Sequence, residues 1–416
     1  MNMTNETQPE NTLPEVGFIK ASVQDGEIRY PDEPSRFTVK DVEGFFVWAY
    51  EQGASDITIQ TDEQIVLHIF GRLKRVTNRR ITQAEVLDIA AALFQGEAIK
   101  GQLAGHSSVD MSYVARPTRT KRVSFRVSIV PMDSDGSRGV EITARSLDAT
   151  PPTTDQIALE EEIWENMSPP QGLVLVAGAT GSGKSTLLAA CIRRMLEEEN
   201  GNRKFITWEH PIEYRYTNVK KPSSVIGQHE IHRHIESWAH GIRNSLRRAP
   251  THILMGEARD AEIIRETLVA SMTGHTVYTT VHASNVSETL GRMLNTFTPT
   301  ERNARAVDLI SSTKMIVSQR LVKTVDGKRT ALREYLVFTP EIVSHLLRIN
   351  LDLITPECRK LLEKHGRTFY QDAQEKFAKG LIGKEALDAY AHEDAAGRRD
   401  IDEALKAPKM LDGGSH

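Results

Sequence analysis

The chain has 416 residues, 39% of them hydrophobic, and a formal net charge of −4. This length allows two or three domains with buried cores. The negative net charge argues against a surface that is positive overall and binds nucleic acid. The cysteines, Cys191 and Cys358, do not indicate a disulfide framework or a zinc site. No apolar run reaches the roughly 18 residues of a membrane span, and the polar N-terminus is unlike a secretory signal. We therefore expect a cytoplasmic protein.

The first third of the chain predicts a loose arm and then a small α+β domain. Residues 1–35 are polar and carry scattered prolines, which is typical of an unpacked arm. The α+β domain is expected over 36–148, with its last two strands paired around a turn at 133–136. The proline-marked stretch 149–154 predicts a linker. Apolar periodicity predicts helices over 39–52 and 82–93 and strands over 56–60, 65–70, 123–130 and 139–145.

A phosphate-binding loop decides the class of the next domain. Residues 178–186 match G-x-x-x-x-G-K-[ST], between an apolar run that predicts a strand and a stretch that predicts a helix. In this context backbone N–H groups and the helix N-terminus bind a phosphate, Lys184 reaches the β- and γ-phosphates, and the Ser185 hydroxyl ligates Mg²⁺. The predicted ATP-binding residues are Gly178, Ala179, Thr180, Gly181, Ser182, Gly183, Lys184, Ser185 and Thr186.

The residues around this loop predict a mostly parallel sheet with helices on both faces. Short β-rich runs at 205–208, 252–255 and 276–281 alternate with helical stretches. We expect this P-loop domain to cover 155–341. Residues 342–416 are charged and predict helices with a disordered end.

Acidic residues follow two of these predicted strands. Glu257 ends the run 252–257 and fits the carboxylate that a nucleotide hydrolase needs near Mg²⁺. Glu209 and Glu213 follow the run 205–208, where they are placed to act on water. An ordinary exposed acid at a strand end remains the alternative for each of them, because such acids are common.

Two histidines flank the strand predicted over 276–281. His275 precedes it and His282 follows it, and a histidine beside a strand end can contact a γ-phosphate. A structural histidine with satisfied hydrogen bonds is the alternative interpretation. The histidine-rich segment 228–234 has a composition that suits a metal, but its spacing matches no standard zinc site.

Taken together, these motifs resemble the secretion-superfamily ATPases, the group that includes the PilT-type pilus motors. The resemblance covers about residues 37–340 and rests on four motifs in order, at 178–186, 209–213, 256–260 and 273–282. The block 325–338 is similar to the ATPases of Dot/Icm type IVB secretion and of I-type conjugative plasmids. The chain departs from the pilus-motor pattern at His210, Thr251 and Ser124.

The resemblance implies a fold, an activity and partners. The fold would be α/β, with a RecA-like ATPase domain, a smaller PAS-like α+β domain before it and a helical C-terminal tail. The protein would be a Mg²⁺-dependent ATPase that forms a homohexamer and docks on inner-membrane secretion proteins beside a partner cytoplasmic ATPase. No direct contact with nucleic acid is expected.

The resemblance also implies roles for individual residues. Glu209 would position the attacking water, Glu257 would act through Mg²⁺, and His275 and His282 would sense the γ-phosphate. Arginines of the N-terminal domain would reach a neighbouring subunit's ATP, and the candidates are Arg126, Arg138 and Arg145.

Three alternatives to a secretion or conjugation ATPase stay open at this stage. A pilus retraction or extension motor would use the same chemistry, and the block 325–338 argues for the secretion group. A ring that binds ATP for assembly without hydrolysis is disfavoured by Lys184, Glu209 and Glu257. A nucleic-acid translocase is disfavoured by the acidic charge balance, although 243–248 is locally basic.

Overall fold

The computed structural model describes residues 28–118, 122–147 and 150–406, with side chains described up to residue 399. Most of the predicted N-terminal arm, part of the predicted linker and the predicted disordered end lie outside these residues. The described chain contains two separate sheets, each with its own apolar core.

The first sheet is antiparallel and has the strand order β3-β2-β1-β6-β5-β4. Its core joins Phe45 and Phe46 of one helix and Ile89 of another to strand residues such as Ile57 and Phe125. The elements are α1 (Val39–Glu51), β1 (Ala54–Gln60), β2 (Val66–Ile69), β3 (Arg72–Arg75), α2 (Gln83–Phe94), α3 (Ala98–Ala104), β4 (Val109–Ala115), β5 (Val123–Ser134) and β6 (Ser137–Leu147).

This part of the structure confirms the two predicted helices and the predicted strands, and adds β3, β4 and α3. The turn between β5 and β6 has positive φ at Asp135 (47°) and Gly136 (77°). Two left-handed residues in a two-residue loop match the right-handed twist of the strands, which explains the long β5–β6 hairpin. The sequence does not predict strand β3, because its four residues, RLKR, show no alternation of buried and exposed side chains. The predicted PAS-like character of this domain stays a prediction.

The second sheet has the strand order β13-β12-β7-β11-β10-β8-β9. All neighbouring pairs are parallel except β12 and β13, so the prediction of a mostly parallel sheet is confirmed. The strands are β7 (Gly172–Ala177), β8 (Lys204–Glu209), β9 (Val225–Glu230), β10 (His252–Glu257), β11 (Thr276–Val281), β12 (Thr313–Lys323) and β13 (Arg329–Val337).

Helices cover both faces of this sheet, and the interior strand β7 is accordingly apolar on both sides. Val174 and Val176 belong to the same core as Leu188 of the helix after the P-loop, whereas Leu173 and Leu175 belong to the core on the other face. The helices are α4 (Glu161–Glu165), α5 (Lys184–Glu197), α6 (Trp238–Ser245), α7 (Ala261–Met272), α8 (Val286–Leu294) and α9 (Pro299–Ser312).

The C-terminal tail is helical, as predicted, and covers the edge strand β13. Backbone groups of Tyr335 and Arg367 exchange hydrogen bonds of 3.0 Å in both directions, which pairs the strand edge with the tail. An exposed strand edge would otherwise leave unpaired N–H and C=O groups. The tail elements are α10 (Pro340–Leu346), a 3₁₀ turn (Leu351–Leu353), α11 (Ile354–His365), α12 (Phe369–Ala378) and α13 (Lys384–Lys406).

The two sheets contact each other through a buried carboxylate. Glu230, at the end of β9, accepts hydrogen bonds from the Ser112 backbone N–H (3.0 Å) and from its hydroxyl (2.5 Å). Arg215 and Arg233 donate to the hydroxyl and the carbonyl of the same serine, at 2.7 and 2.8 Å. This contact holds β4 of the first sheet against the carboxyl end of β9 in the second sheet. The P-loop follows the carboxyl end of β7, at the same edge of that sheet.

Candidate nucleotide site

The P-loop closes tightly between β7 and α5. Gly178 begins the loop with φ of +147°, and a Cβ there would lie 2.5 Å from Ser182 Oγ and 2.6 Å from the Gln319 carbonyl oxygen. Gly183 adopts φ of +85° directly before α5 begins at Lys184. Only glycine meets both requirements without strain, so the loop geometry explains the glycine spacing of the motif.

The polar groups of this loop fit a phosphate group. Lys184 Nζ donates to the carbonyl oxygens of Gly178 and Ala179, both at 2.8 Å, so it lies over the loop. Burial lowers the pKa of Lys184, an effect that the carboxylates of Glu257 and Glu213 oppose. Ser182 Oγ is buried and has no hydrogen-bond partner among the described residues. Together with the N-terminus of α5, these groups form a cradle for an anion.

A cleft of about 260 Å³ opens beside the P-loop. It lies at the carboxyl ends of β7, β8, β10 and β11, which parallel pairing brings to one edge of the sheet. Open α/β sheets bind their ligands at this edge. The cleft brings together predicted site residues from five segments: Thr180, Gly181, Lys184, Ser185, Glu209, Glu213, Glu257, His282 and Arg126.

Glu257 lies at the centre of a charged group in this cleft. Its carboxylate accepts a hydrogen bond from Arg259 Nε at 2.8 Å and lies 3.0 Å from His282 Nε2. The strand register explains the second contact, because Glu257 of β10 pairs with Thr280 of β11, two residues before His282. The Glu257 and Ser185 oxygens that line the cleft are of the kind that Mg²⁺ prefers, so the residues present fit this ion.

Glu209 has a different environment from that of Glu257. It accepts hydrogen bonds from Thr207 Oγ1 at 2.6 Å and from Gln228 Nε2 at 3.4 Å. Burial raises its pKa to about 7, against the opposing effect of these two bonds. Glu213 lies nearby and forms an ion pair of 3.7 Å with Arg126. The structure therefore brings both acids of the 209–213 motif to the cleft.

His275 lies away from the cleft. It precedes β11, and its carbonyl accepts a hydrogen bond from the N–H of Gly172, the first residue of β7. His282 follows the same strand, so about six residues at roughly 3.3 Å each separate the two histidines. The His275 ring lies 3.2 Å from the Ala270 carbonyl oxygen. The structure brings His282 to the cleft but not His275, whose role as a γ-phosphate sensor stays a prediction.

The three candidate arginines lie at different places on the β5–β6 hairpin. Arg126 lines the cleft of its own chain, and Arg145 is its directly paired neighbour on β6, where it binds Asp56 at 2.8 Å. Arg138 lies at the turn end of the hairpin and donates to the Ala104 carbonyl at 2.9 Å. The structure thus brings only Arg126 of the three to the cleft, and a role of Arg138 and Arg145 at a neighbouring subunit stays a prediction.

Comparison with known proteins identifies the family. The family model "Type II/IV secretion system protein" matches residues 33–413. The chain belongs to this family. The type IV pilus retraction ATPase PilT of Pseudomonas aeruginosa is 30% identical over 308 residues, which cover 73% of this chain and 84% of that protein.

Solved structures of relatives show the same fold. The ATPase DotB of Legionella pneumophila superposes with a TM-score of 0.84 and 40% identity, covering 89% of this chain and all of the other. The pilus retraction motor PilT with bound ADP superposes with a TM-score of 0.69 and 28% identity, covering 89% and 98%. As a member of the type II/IV secretion family with a complete P-loop cleft, this chain is a nucleotide-binding ATPase. None of the described helices is long and apolar enough to cross a membrane.

Several residues of the site were not singled out from the sequence. Gln228 binds both Glu209 and the Tyr214 carbonyl, and the Tyr214 hydroxyl lies 2.8 Å from Thr186 Oγ1. Gln228 and Glu230 belong to the histidine-rich segment 228–234, and in the structure they support the 209–213 motif and the contact with the first sheet. Gln228 and Glu230 follow Glu213 by 15 and 17 residues on another strand, so no local spacing connects them to the motif.

Proposed function

We propose that this protein is a Mg²⁺-dependent ATP hydrolase that works as a hexameric motor for a type IVB secretion or conjugative transfer apparatus. The observation that supports hydrolysis best is the cleft itself, where the P-loop, Glu257, Glu209 and His282 meet at one edge of the sheet. Phosphoryl transfer depends mainly on positioning and charge, and this cleft supplies a lysine for the phosphates and two carboxylates with different hydrogen-bond partners.

The proposed division of labour follows from the contacts. Lys184 holds the β- and γ-phosphates, and Ser185 with Glu257 would hold Mg²⁺, which when bound neutralises phosphate charge. Glu209, with a pKa of about 7, is suited to accept a proton from water near neutral pH. His282, 3.0 Å from Glu257, is placed to respond to the occupant of the cleft.

The motor function would use the boundary between the two sheets. The first domain, proposed as 36–148, reaches the cleft of the ATPase domain, proposed as 155–341, through Arg126. ATP in the cleft would hold the two domains together, and hydrolysis would release them, which converts chemistry into rigid-body movement. In this proposal the ring acts at the cytoplasmic face of the inner membrane, against membrane proteins of the apparatus and a partner ATPase.

The assignment to secretion or conjugation rests on the 40% identity and TM-score of 0.84 with the Legionella DotB. A pilus motor is the second candidate, supported by the likeness to PilT. Deletion of the gene should abolish transfer of plasmid or effector while twitching motility persists. The reverse pattern, with motility lost and transfer intact, would favour the pilus motor.

The ATPase assignment is tested by Lys184→Ala. Loss of its charge over the P-loop should reduce ATP turnover by at least about a hundredfold and strongly weaken nucleotide binding, with the fold retained. The matched control is Lys220→Ala, which removes a lysine whose side chain is 73% exposed and pairs with Glu199 at the surface. Steady-state phosphate release and binding of a fluorescent ATP analogue measure both effects. Normal turnover in Lys184→Ala would refute the assignment.

A further inference from the structure

The tail of this protein is connected to the P-loop by buried polar contacts. Gln319 lies on β12 directly after Ser318, which pairs with Ala177, the last residue before the loop. The Gln319 Nε2 group donates to the Ser182 carbonyl oxygen at 2.8 Å, and Gln319 is only 3% exposed. This side chain therefore braces the P-loop from the neighbouring strand.

Arg333 on β13 sets the orientation of the Gln319 amide. Its Nε group donates to Gln319 Oε1 at 2.8 Å, which leaves the amide N–H₂ to face Ser182. With the amide reversed, its oxygen would face the Ser182 carbonyl oxygen, and its N–H₂ group would face the N–H donor of Arg333. The Arg333 guanidinium is itself held by Glu160 at 2.8 Å and by the carbonyls of Ile157 and Ala158.

Helix α12 of the tail holds the backbone of Arg333. Asp372 accepts a hydrogen bond of 2.8 Å from the Arg333 backbone N–H, on the outer edge of the sheet. Lys376 and Arg367 each donate to the same carboxylate at 2.6 Å. Asp372 is fully buried, so these contacts are shielded from water and carry more weight than surface ion pairs.

We propose that Gln319 is a positioning residue for the P-loop and that helix α12 controls it through Asp372 and Arg333. The inference rests on the proposed nucleotide site and gives the tail a function in it: the tail sets the affinity for the nucleotide. Three hydrogen bonds of 2.8 Å each connect Asp372 to Arg333, Arg333 to Gln319, and Gln319 to Ser182. A displacement of α12 therefore changes the shape of the loop that binds phosphate.

The direct test is Gln319→Met, which keeps about the same side-chain volume, introduces no charge and removes the hydrogen bond to the Ser182 carbonyl oxygen. We expect nucleotide affinity to fall about fivefold to tenfold, as for the loss of one buried hydrogen bond. The remote test is Asp372→Asn, which should weaken affinity about threefold or more. A fluorescent ATP analogue reports Kd, while circular dichroism and gel filtration verify that each variant is folded and has the wild-type oligomeric state.

A double-mutant cycle separates coupling from a purely structural role. If α12 acts through Gln319, Asp372→Asn should weaken binding in the wild-type background but add little in Gln319→Met. A purely structural role would lower the melting temperature of Asp372→Asn and leave its Kd unchanged, which would overturn the inference. Lys376→Gln, which keeps a hydrogen bond to Asp372 but removes the charge, serves in its place if Asp372→Asn does not fold.

The control is Lys379→Ala at the C-cap of the same helix, where the exposed ammonium pairs with Glu375 and not with Asp372. It should bind the nucleotide as the wild type does. If the wild type and this control both fail to bind, the proposed nucleotide site is wrong, and the inference is overturned with it. If both bind and the Gln319 and Asp372 variants bind equally well, the inference alone is overturned.

Discussion

The two carboxylates of the cleft differ in their electrostatic surroundings. Glu257 lies against Arg259 and His282, whereas Glu209 accepts hydrogen bonds from the neutral groups of Thr207 and Gln228. Burial raises the pKa of Glu209 to about 7. Paired carboxylates in different environments are a common way to assign separate tasks to chemically similar groups.

The pKa of Glu209 predicts a pH dependence. Because only the ionised carboxylate accepts a proton, kcat/KM for ATP should rise about tenfold per pH unit below about 7 and level off above it. Glu209→Gln should lose most turnover and this pH step together. The control Glu165→Gln changes an exposed acid of α4 and should keep the wild-type profile. A wild-type pH profile in Glu209→Gln would show that the 209–213 motif is structural.

Glu257→Gln should separate binding from chemistry. The amide keeps the shape of the side chain but removes the charge that pairs with Arg259 and His282 and that suits Mg²⁺. We expect nucleotide binding to persist and hydrolysis to slow by at least about a hundredfold. Titration of the remaining activity with Mg²⁺ should show half-maximal activity at a higher Mg²⁺ concentration than in the wild type. Unchanged hydrolysis would remove Glu257 from the site.

At the scale of elements, helix α6 holds the strand that carries Glu209. Gly241 of α6 packs flat on the buried ring of Trp208, the residue before Glu209, and a Cβ there would lie 2.7 Å from the ring. The Trp208 indole N–H donates to Ser245 Oγ at 2.7 Å, one turn further along the helix. The helix therefore fixes the end of β8 by both packing and a buried hydrogen bond.

Gly241→Ala should destabilise the protein by about 1–3 kcal/mol, because the added methyl group forces α6 and Trp208 apart. Gly101→Ala is the matched control, since a Cβ at this helical position has no neighbour within 4 Å. There, alanine should stabilise by roughly 0.5–1 kcal/mol through its helix propensity. Urea unfolding followed by circular dichroism measures both. Equal stability of the two variants would contradict the close packing of α6.

At the scale of the whole molecule, the position of Arg126 links the two domains. Its side chain is 49% exposed, lines the cleft of its own chain and pairs with Glu213. Arginine suits phosphate because its planar fork binds two oxygens at once. The single chain thus already places an arginine in its own cleft, whereas Arg138 and Arg145 do not line this cleft.

Arg126→Ala should lose turnover and keep nucleotide binding. Mixing it with Lys184→Ala protein should not restore activity, because each subunit of the mixed rings would carry one defect in its own cleft. Phosphate release measured across mixing ratios tests this. Restored activity would show that Arg126 serves a neighbouring subunit. The same mixing experiment with Arg138→Ala and Arg145→Ala tests whether either arginine reaches a neighbouring subunit's ATP.

The sequence by itself determined the P-loop, the acids Glu209 and Glu257, and the helical or strand character of most elements. These features depend on local spacing, since a loop that binds phosphate and an apolar strand leave their patterns within about ten residues. Parallel pairing then places the ends of such strands at one edge, so the location of the cleft could also be anticipated.

Only the tertiary structure decided which distant residues support this site. It separated His282 from His275 by the length of β11, placed Arg126 in the cleft, and joined Asp372, Arg333 and Gln319 to the P-loop. Such contacts join residues far apart along the chain, and their polar side chains follow no periodic pattern. Their burial and pairing arise only when β12, β13 and the tail pack beside β7, so no local sequence pattern predicts them.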